Sequence, residues 1–215
     1  MPTHAQRRAD SHDRIIAAAS RLFRERGYHH ASVADIMAEA HLTVGGFYAH
    51  FANKEDLFDA AMQHAMVQSF AQLETHLADS AGWERVAALA HAYLSPAHFA
   101  LIDQGCPAPS LLSEIARGPA AVRRTFTKLS RERTDRIAEF FAPAERAAVW
   151  PILHAIGCMA VGAMSFARAS KEPAYVKATL EGARQAIALL IATVKATPLQ
   201  NAPADSAPPS TPPHA

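Results

Sequence analysis

Cys106 is the residue in this sequence best placed for covalent chemistry. It sits in Gly105-Cys106-Pro107, a turn ahead of a helix expected near Ser110. A thiol close to a helix start is in a setting where its pKa falls and the sulfur reacts with oxidants or electrophiles. The competing reading is a small buried side chain, the commonest fate of a free cysteine. Asp103 nearby, and the lack of a neighbouring Lys or Arg in the sequence, favour that second reading. Cys158 lies in an apolar stretch and reads as packing. Twelve histidines invite a search for metal or triad chemistry, but His29-His30 and the others lack ligand spacing. No GxSxG, HExxH or Gly-rich phosphate loop occurs. The sequence therefore reads as a non-enzyme, with no metal and no cofactor.

What remains is binding chemistry, and it concentrates in residues 32–51, SVADIMAEAHLTVGGFYAHF. Ser32 can cap a helix, with Asp35 three residues on closing a capping box. Val33, Ile36, Met37 and Ala40 give that helix one apolar face. His41 and Leu42 make a turn, and Thr43 is positioned to cap a second helix. Val44, Phe47, Tyr48 and Phe51 follow at helical spacing as its inner face. Thr43, Gly45, Gly46, Ala49 and His50 are left facing outward. Glycine in a helix costs up to about 1 kcal/mol relative to alanine, a cost that suits a backbone which must approach a ligand closely. Two short helices of this kind form a helix-turn-helix whose second member enters a DNA major groove. The plainer alternative is an ordinary helical hairpin.

The residues that follow sharpen the DNA reading. Asn53 caps another helix, with Asp56 as its capping-box partner. Lys54 stands at the first helical position, where the dipole disfavours a cation unless a phosphate lies there. On these residues the chain resembles the TetR family of transcriptional regulators, and its AcrR-like members in particular. That family's pattern is a Thr or Ser opening the second helix, an Ile-Ala pair, an Ala-Gly-Val turn, then Gly, Tyr, Phe and Lys-Glu. The matching residues here are Ser32, Ile36 with Met37, Ala40-His41-Leu42, Gly46, Tyr48, Phe51 and Lys54-Glu55. Two departures stand out. His41 replaces the turn glycine, and Val44-Gly45 occupies a place where members often carry a basic residue. The resemblance implies a dimeric, ligand-responsive repressor that binds a palindromic double-stranded operator. It also implies a second domain that binds a small-molecule effector. The Gly-Cys-Pro turn is similar to a subgroup in which some members sense through the cysteine.

Composition agrees with an all-α protein. Half of the 215 residues are apolar, aromatics make up 7%, and there are nine glycines. No unbroken apolar run reaches eighteen residues, so no membrane span is expected. The polar N-terminus does not read as a secretory signal, and two cysteines without framework spacing suit a reducing cytoplasm. The net charge of +1 does not advertise a nucleic-acid partner. Between residues 11 and 57 five basic residues (Arg14, Arg21, Arg24, Arg26, Lys54) face six acidic ones. Charge would have to be arranged locally, with Lys54, His50 and an N-terminal arm carrying Arg7 and Arg8.

The expected organisation is a flexible arm at residues 1–10, a three-helix helix-turn-helix domain at 11–57, a ligand-binding and dimerisation domain at 58–197, and a disordered proline-rich tail at 198–215. About nine helices are expected. The long helix after Asn53 joins the two domains. The last two helices are apolar on nearly every side and imply an isologous four-helix interface with a second copy. Between them and the long helix, Met66, Phe70, Trp83, Tyr93, Phe99 and Phe126 are candidates to line a cavity, beside Cys106. His91, His98, Tyr93 and Arg123 are candidates to orient a ligand in it. The alternatives are a helical receptor that binds no DNA and a repressor that senses through Cys106.

Overall fold

Residues 3–75, 77 and 80–196 are described by a computed structural model of the chain. Among them are nine α-helices, one 3-10 segment and no strand. The helices are α1 (His4–His30), α2 (Val33–Glu39), α3 (Lys54–Glu74), α4 (Gly82–Tyr93), α5 (Pro96–Ala100), α6 (Ala108–Arg117), α7 (Ala120–Ala138), α8 (Arg146–Ala169) and α9 (Pro173–Ala196). The 3-10 segment is Val44–Ala49, between α2 and α3. The tail at 198–215 lies outside the described residues.

The arm differs from expectation. Helix α1 starts at His4, where Thr3 caps it and forms a capping box with Gln6. Residues 4–10 are thus helical rather than loose, because the cap satisfies the first-turn amides. Gly27 ends the regular part of α1 in the left-handed region, at φ +79°. Ser32 and Asp35 make the capping box read from the sequence. Asn53 makes only half of one: its side chain accepts from the Asp56 amide.

Ile15, Ala19, Leu22 and Phe23 of α1, Ile36 and Met37 of α2, and Phe47, Phe51, Leu57 and Phe58 form one buried cluster. It does not stop at the sequence boundary of the domain. Leu111 and Ile115 of α6 and Val122 of α7 are buried in the same cluster. A second core lies between α3, α4, α7, α8 and α9, built on Phe70, Val86, Leu89, Leu153, Ile156, Met164 and Ile187. Helix α3 serves both cores along its 21 residues, about 31 Å of helix. It packs on α1 on one side and on α7 on the other, and leaves Gln63, Val67 and Ala71 exposed between them.

The α8–α9 pair makes the most extensive helix contact in the chain. It still leaves Phe166 65% and Leu189 69% exposed, with Met159 and Tyr175 also open. By length and composition α8 is apolar enough to cross a membrane, contrary to the sequence expectation. Its charged residues are Arg146 at one end and Arg168 at the other. Its buried residues, including Leu153, Ile156 and Met164, pack within the second core.

The turn after α2 places His41 at φ +54°. This is the position where a residue without a Cβ would be unstrained. His tolerates it better than a β-branched residue. His41→Val is expected to lower stability by about 1–3 kcal/mol. His41→Gly should change it by less than about 1 kcal/mol, because relief of strain is offset by greater freedom of the unfolded chain. Urea denaturation midpoints of the two variants check this ordering.

Candidate nucleic-acid interface and ligand cavity

The outer face of the N-terminal module is made by the turn and the 3-10 segment. Val44–Ala49 is 3-10 rather than α-helical. Phe47 and Phe51 are buried as expected, but Val44 is 49% and Tyr48 76% exposed. Val44 and Tyr48 therefore join the outward set instead of the core. Thr43 and Gly45 are exposed and Gly46 is half-buried. Thr43 occupies the cap position without a side-chain hydrogen bond, and its carbonyl accepts from the Gly46 amide at 3.0 Å. A Cβ on Gly45 would meet nothing within 4 Å, and one on Gly46 would meet only Met37 and Thr43 at ordinary contact distance. Neither glycine is required by packing inside the chain.

Much of the basic charge in this module is used internally. The Arg14 guanidinium donates to the carbonyls of Ala40 and His41, at the turn. Arg8 donates to the Ala49 carbonyl at 2.9 Å, closing the far end of the 3-10 segment. Arg21 pairs with Glu39. Lys54 does not point outward: its ammonium donates to the Tyr28 carbonyl and lies 4.4 Å from the centre of the Tyr28 ring. Burial pushes its pKa down, with Glu114, Glu55 and Asp35 opposing. His50 is half-buried beside His12, which stacks on Phe51 at 4.8 Å. Burial first, then the charges of His12 and Arg8, lower the His50 pKa. Ser32 is exposed, with its hydroxyl bonded to Asp35.

The seam between module and remainder carries two further polar contacts. The Glu114 carboxylate accepts from the Tyr28 amide with both oxygens, each at 2.9 Å. The Arg24 guanidinium is buried and donates to the Gly105 carbonyl at 2.8 Å. Its other nitrogens reach the Ser20 carbonyl at 3.0 Å and the Ser20 hydroxyl at 2.9 Å. Burial brings the Arg24 pKa down to about 10.

A narrow cavity lies between α3, α4, α7 and α8. Its empty space is about 650 Å³, counted with the solvent at its mouth. Of the candidates named from sequence, Met66, Phe70, Tyr93 and Cys106 line it. Trp83, His91, His98, Phe99 and Phe126 do not. Trp83 packs edge-on against Phe141 at 4.9 Å. His91 is exposed, and so is Arg123. Phe99 and Phe126 are half-buried in packing around the cores. His98 is buried behind Tyr93, ring to ring at 4.8 Å. The residue that sequence reasoning missed is Arg133, the charged residue in the cavity wall. Nothing in its charge-rich surroundings in α7 marks it out.

Cys106 is buried, and arginines that are remote in sequence surround it. Arg24 and Arg168 both interact electrostatically with it. The Tyr93 phenol is pushed well above its ordinary value by burial, and then by Cys106.

Residues 15–61 match the family model described as bacterial regulatory proteins, tetR family. The Transposon Tn10 TetC protein of Escherichia coli is 31% identical over 80 residues, which cover 37% of this chain and 41% of that protein. The HTH-type transcriptional regulator HbdR of Aromatoleum sp. (strain CIB) is 27% identical over 125 residues, 58% of this chain and 53% of that protein. The chain thus spans about half, or less, of the curated relatives it matches. A crystal structure of a TetR-family transcriptional regulator from Cytophaga hutchinsonii superposes with a TM-score of 0.71 at 20% identity, covering 90% of this chain and 97% of that one. At that identity the likeness is one of fold.

His98 gives a pH signature. Burial first, and the Arg168 charge second, push its pKa down to about 4. In the unfolded chain a histidine titrates near 6.5. Between these values the unfolded state binds a proton that the folded state does not. Stability therefore falls as pH drops from about 6.5 towards about 4, by at most about 3 kcal/mol. Replacing His98→Phe keeps the ring against Tyr93 and should flatten this part of the profile, as read by urea midpoints across the window.

Proposed function

We propose, from the premise that this chain is a member of the TetR family, that it is a DNA-binding transcriptional regulator. In this reading it is a ligand-responsive repressor, acts as a homodimer in the cytoplasm, and leaves its operator when a small effector binds. It is not an enzyme. One observation carries the reading: a doubly capped α2 and turn present Thr43, Val44, Gly45 and Tyr48 outward on a short segment whose glycines serve no internal packing.

Thr43, Val44, Gly45 and Gly46 would approach base edges, where Val44 and the Thr43 methyl suit a thymine methyl group. Tyr48 would give its hydroxyl to a phosphate, with His50 and Ser32 at the margins of the face. The Lys54 ammonium is committed to Tyr28. What Lys54 can offer a phosphate is its amide at the start of α3. Exposed Phe166 and Leu189 on α8 and α9 support a second copy as the partner that covers them. A two-fold pair would set two such faces on half-sites of a palindrome.

The second reading, thiol sensing at Cys106, is favoured by the Arg24 and Arg168 charges that act on the buried residue. Alkylation with N-ethylmaleimide tests it. If release of DNA is abolished in Cys106→Ser, the thiol is the trigger; if wild type and variant respond alike, it is not.

The main reading is tested by gel shift with the gene's own upstream DNA. Gly46→Leu is expected to abolish specific binding while leaving the dimer and its thermal midpoint near wild type. Tyr48→Ala should weaken binding to specific and random duplex alike by about tenfold, the scale of one charge-assisted hydrogen bond. Operator affinity retained by Gly46→Leu would remove the recognition assignment. Separately, Leu189→Asp should yield monomers in sedimentation equilibrium, because it places a charge in the face a partner would bury.

A further inference from the structure

Most of the cavity wall is apolar. Phe70 and Leu73 of α3, Leu89 of α4, and Leu153, Ile156 and Ala160 of α8 make the hydrocarbon part. Ser69, Tyr93, Cys106 and Arg133 supply its polar groups. The Arg133 side chain lies across α8 at Gly157, where a Cβ would come within 2.9 Å of its Nη2. Its charge is close enough to act on the Tyr93 phenol. The Tyr93 hydroxyl is buried with Cys106 as its neighbour, and the Arg133 Nε is buried with no hydrogen-bond partner. Behind them Arg168 has Nε and Nη2 in the same condition. Among the described residues no Asp or Glu lines the cavity.

A buried donor without an acceptor loses its water and gains nothing in return. Here such donors belong to two arginines whose charges both act on Tyr93, and one of them, Arg133, stands in a largely hydrocarbon wall. A cationic ligand would meet Arg133 with like charge. A neutral one would leave donors unmatched. A ligand with two anionic oxygens on an apolar body would satisfy both parts of the site.

We propose that this cavity takes an amphipathic carboxylate, its oxygens on Arg133 and the Tyr93 hydroxyl and its hydrocarbon body along Phe70, Leu89 and Ile156. This rests on the reading of the domain as an effector site, and names the class of effector. Arg133 is the specificity-determining residue. Gly157 is the residue that leaves room for its head.

The test is calorimetric titration of the full chain with three probes of one length: octanoate, octanamide and octylammonium. Octanoate is expected to bind saturably, octanamide about 10- to 100-fold more weakly, and octylammonium not at all. Arg133→Met should cost octanoate a similar factor and remove its advantage over octanamide. Gly157→Ala keeps the charge but displaces the guanidinium, and should weaken octanoate while the thermal midpoint holds. The proposal is overturned if octylammonium binds as well as octanoate. It is equally overturned if Arg133→Met binds octanoate unchanged, or if octanoate shows no saturable binding. A parallel gel shift separates this from the regulatory reading. Octanoate that binds through Arg133 without loosening DNA upholds the site and removes effector control. Octylammonium that releases DNA upholds effector control and overturns the site.

Discussion

A single buried guanidinium ties the two halves of this chain together. Arg24 is on α1, in the N-terminal module, yet one of its nitrogens holds the Gly105 carbonyl in the turn that carries Cys106. The other two nitrogens are spent on Ser20, and one also comes within 3.4 Å of Gln68 on α3. Burying a charge without such partners would cost several kcal/mol. With them, the guanidinium becomes a fixed rivet between α1, α3 and the Gly-Cys-Pro turn. Gly105 must be glycine for the same geometry, since a Cβ there would lie 2.4 Å from the Leu101 carbonyl oxygen. The position of Cys106 thus follows from a helix eighty residues away.

This rivet changes how a signal can travel. Helix α3 is one physical link, because Met66 belongs to the N-terminal core and also lines the cavity. The α1–α6 seam is a second. Leu111 and Ile115 are buried among residues of the N-terminal module, and Glu114 holds the Tyr28 amide. Tyr28 in turn holds Lys54 at the start of α3 through its carbonyl. The chain of contacts from Glu114 through Tyr28 to Lys54 therefore closes a loop between the two links. A displacement at the cavity end would reach the outward turn through both at once. Coupling between sites needs such an element with two arrangements, each favoured by one ligand. The seam is the place to look for it, because its polar contacts join α1 to α6 and to the Gly105 turn.

Sequence reading reached the parts that local chemistry sets. Ser32 with Asp35 and the apolar face of α2 follow from rules that act within four residues. The errors arose where distant contacts decide. A 3.6-residue period puts Val44 and Tyr48 inward, but the segment is 3-10 and both are exposed. Lys54 was read from its place at a helix start, whereas Tyr28 claims its ammonium. Cys106 has no basic neighbour in sequence, yet Arg24 and Arg168 flank it in space. Aromatic content suggested a cavity but could not choose its lining. Four of the ten candidates line it, and Arg133 escaped because nothing local separates it from the solvated arginines of α7.

The charge balance follows from the same competition for partners. The N-terminal module has few cations, and the fold consumes most of them. Arg14 and Arg8 fasten the two ends of the outward segment, Arg21 pairs with Glu39, Arg24 is the rivet, and Lys54 is held by Tyr28. An exposed cation gains affinity for a phosphate polymer mainly by releasing counterions, which makes binding depend steeply on salt. A cation already committed to a carbonyl contributes less of that term and more to rigidity. The outward face is therefore held stiff by its arginines rather than advertised by them. Recognition by such a face would have to lean on close backbone approach at Gly45 and Gly46, on apolar contact from Val44, and on helix-terminal amides. These are short-range interactions that reward a correct sequence and give little to an incorrect one. A near-neutral chain is then a consequence of how the module is braced, and it is compatible with a duplex as the partner.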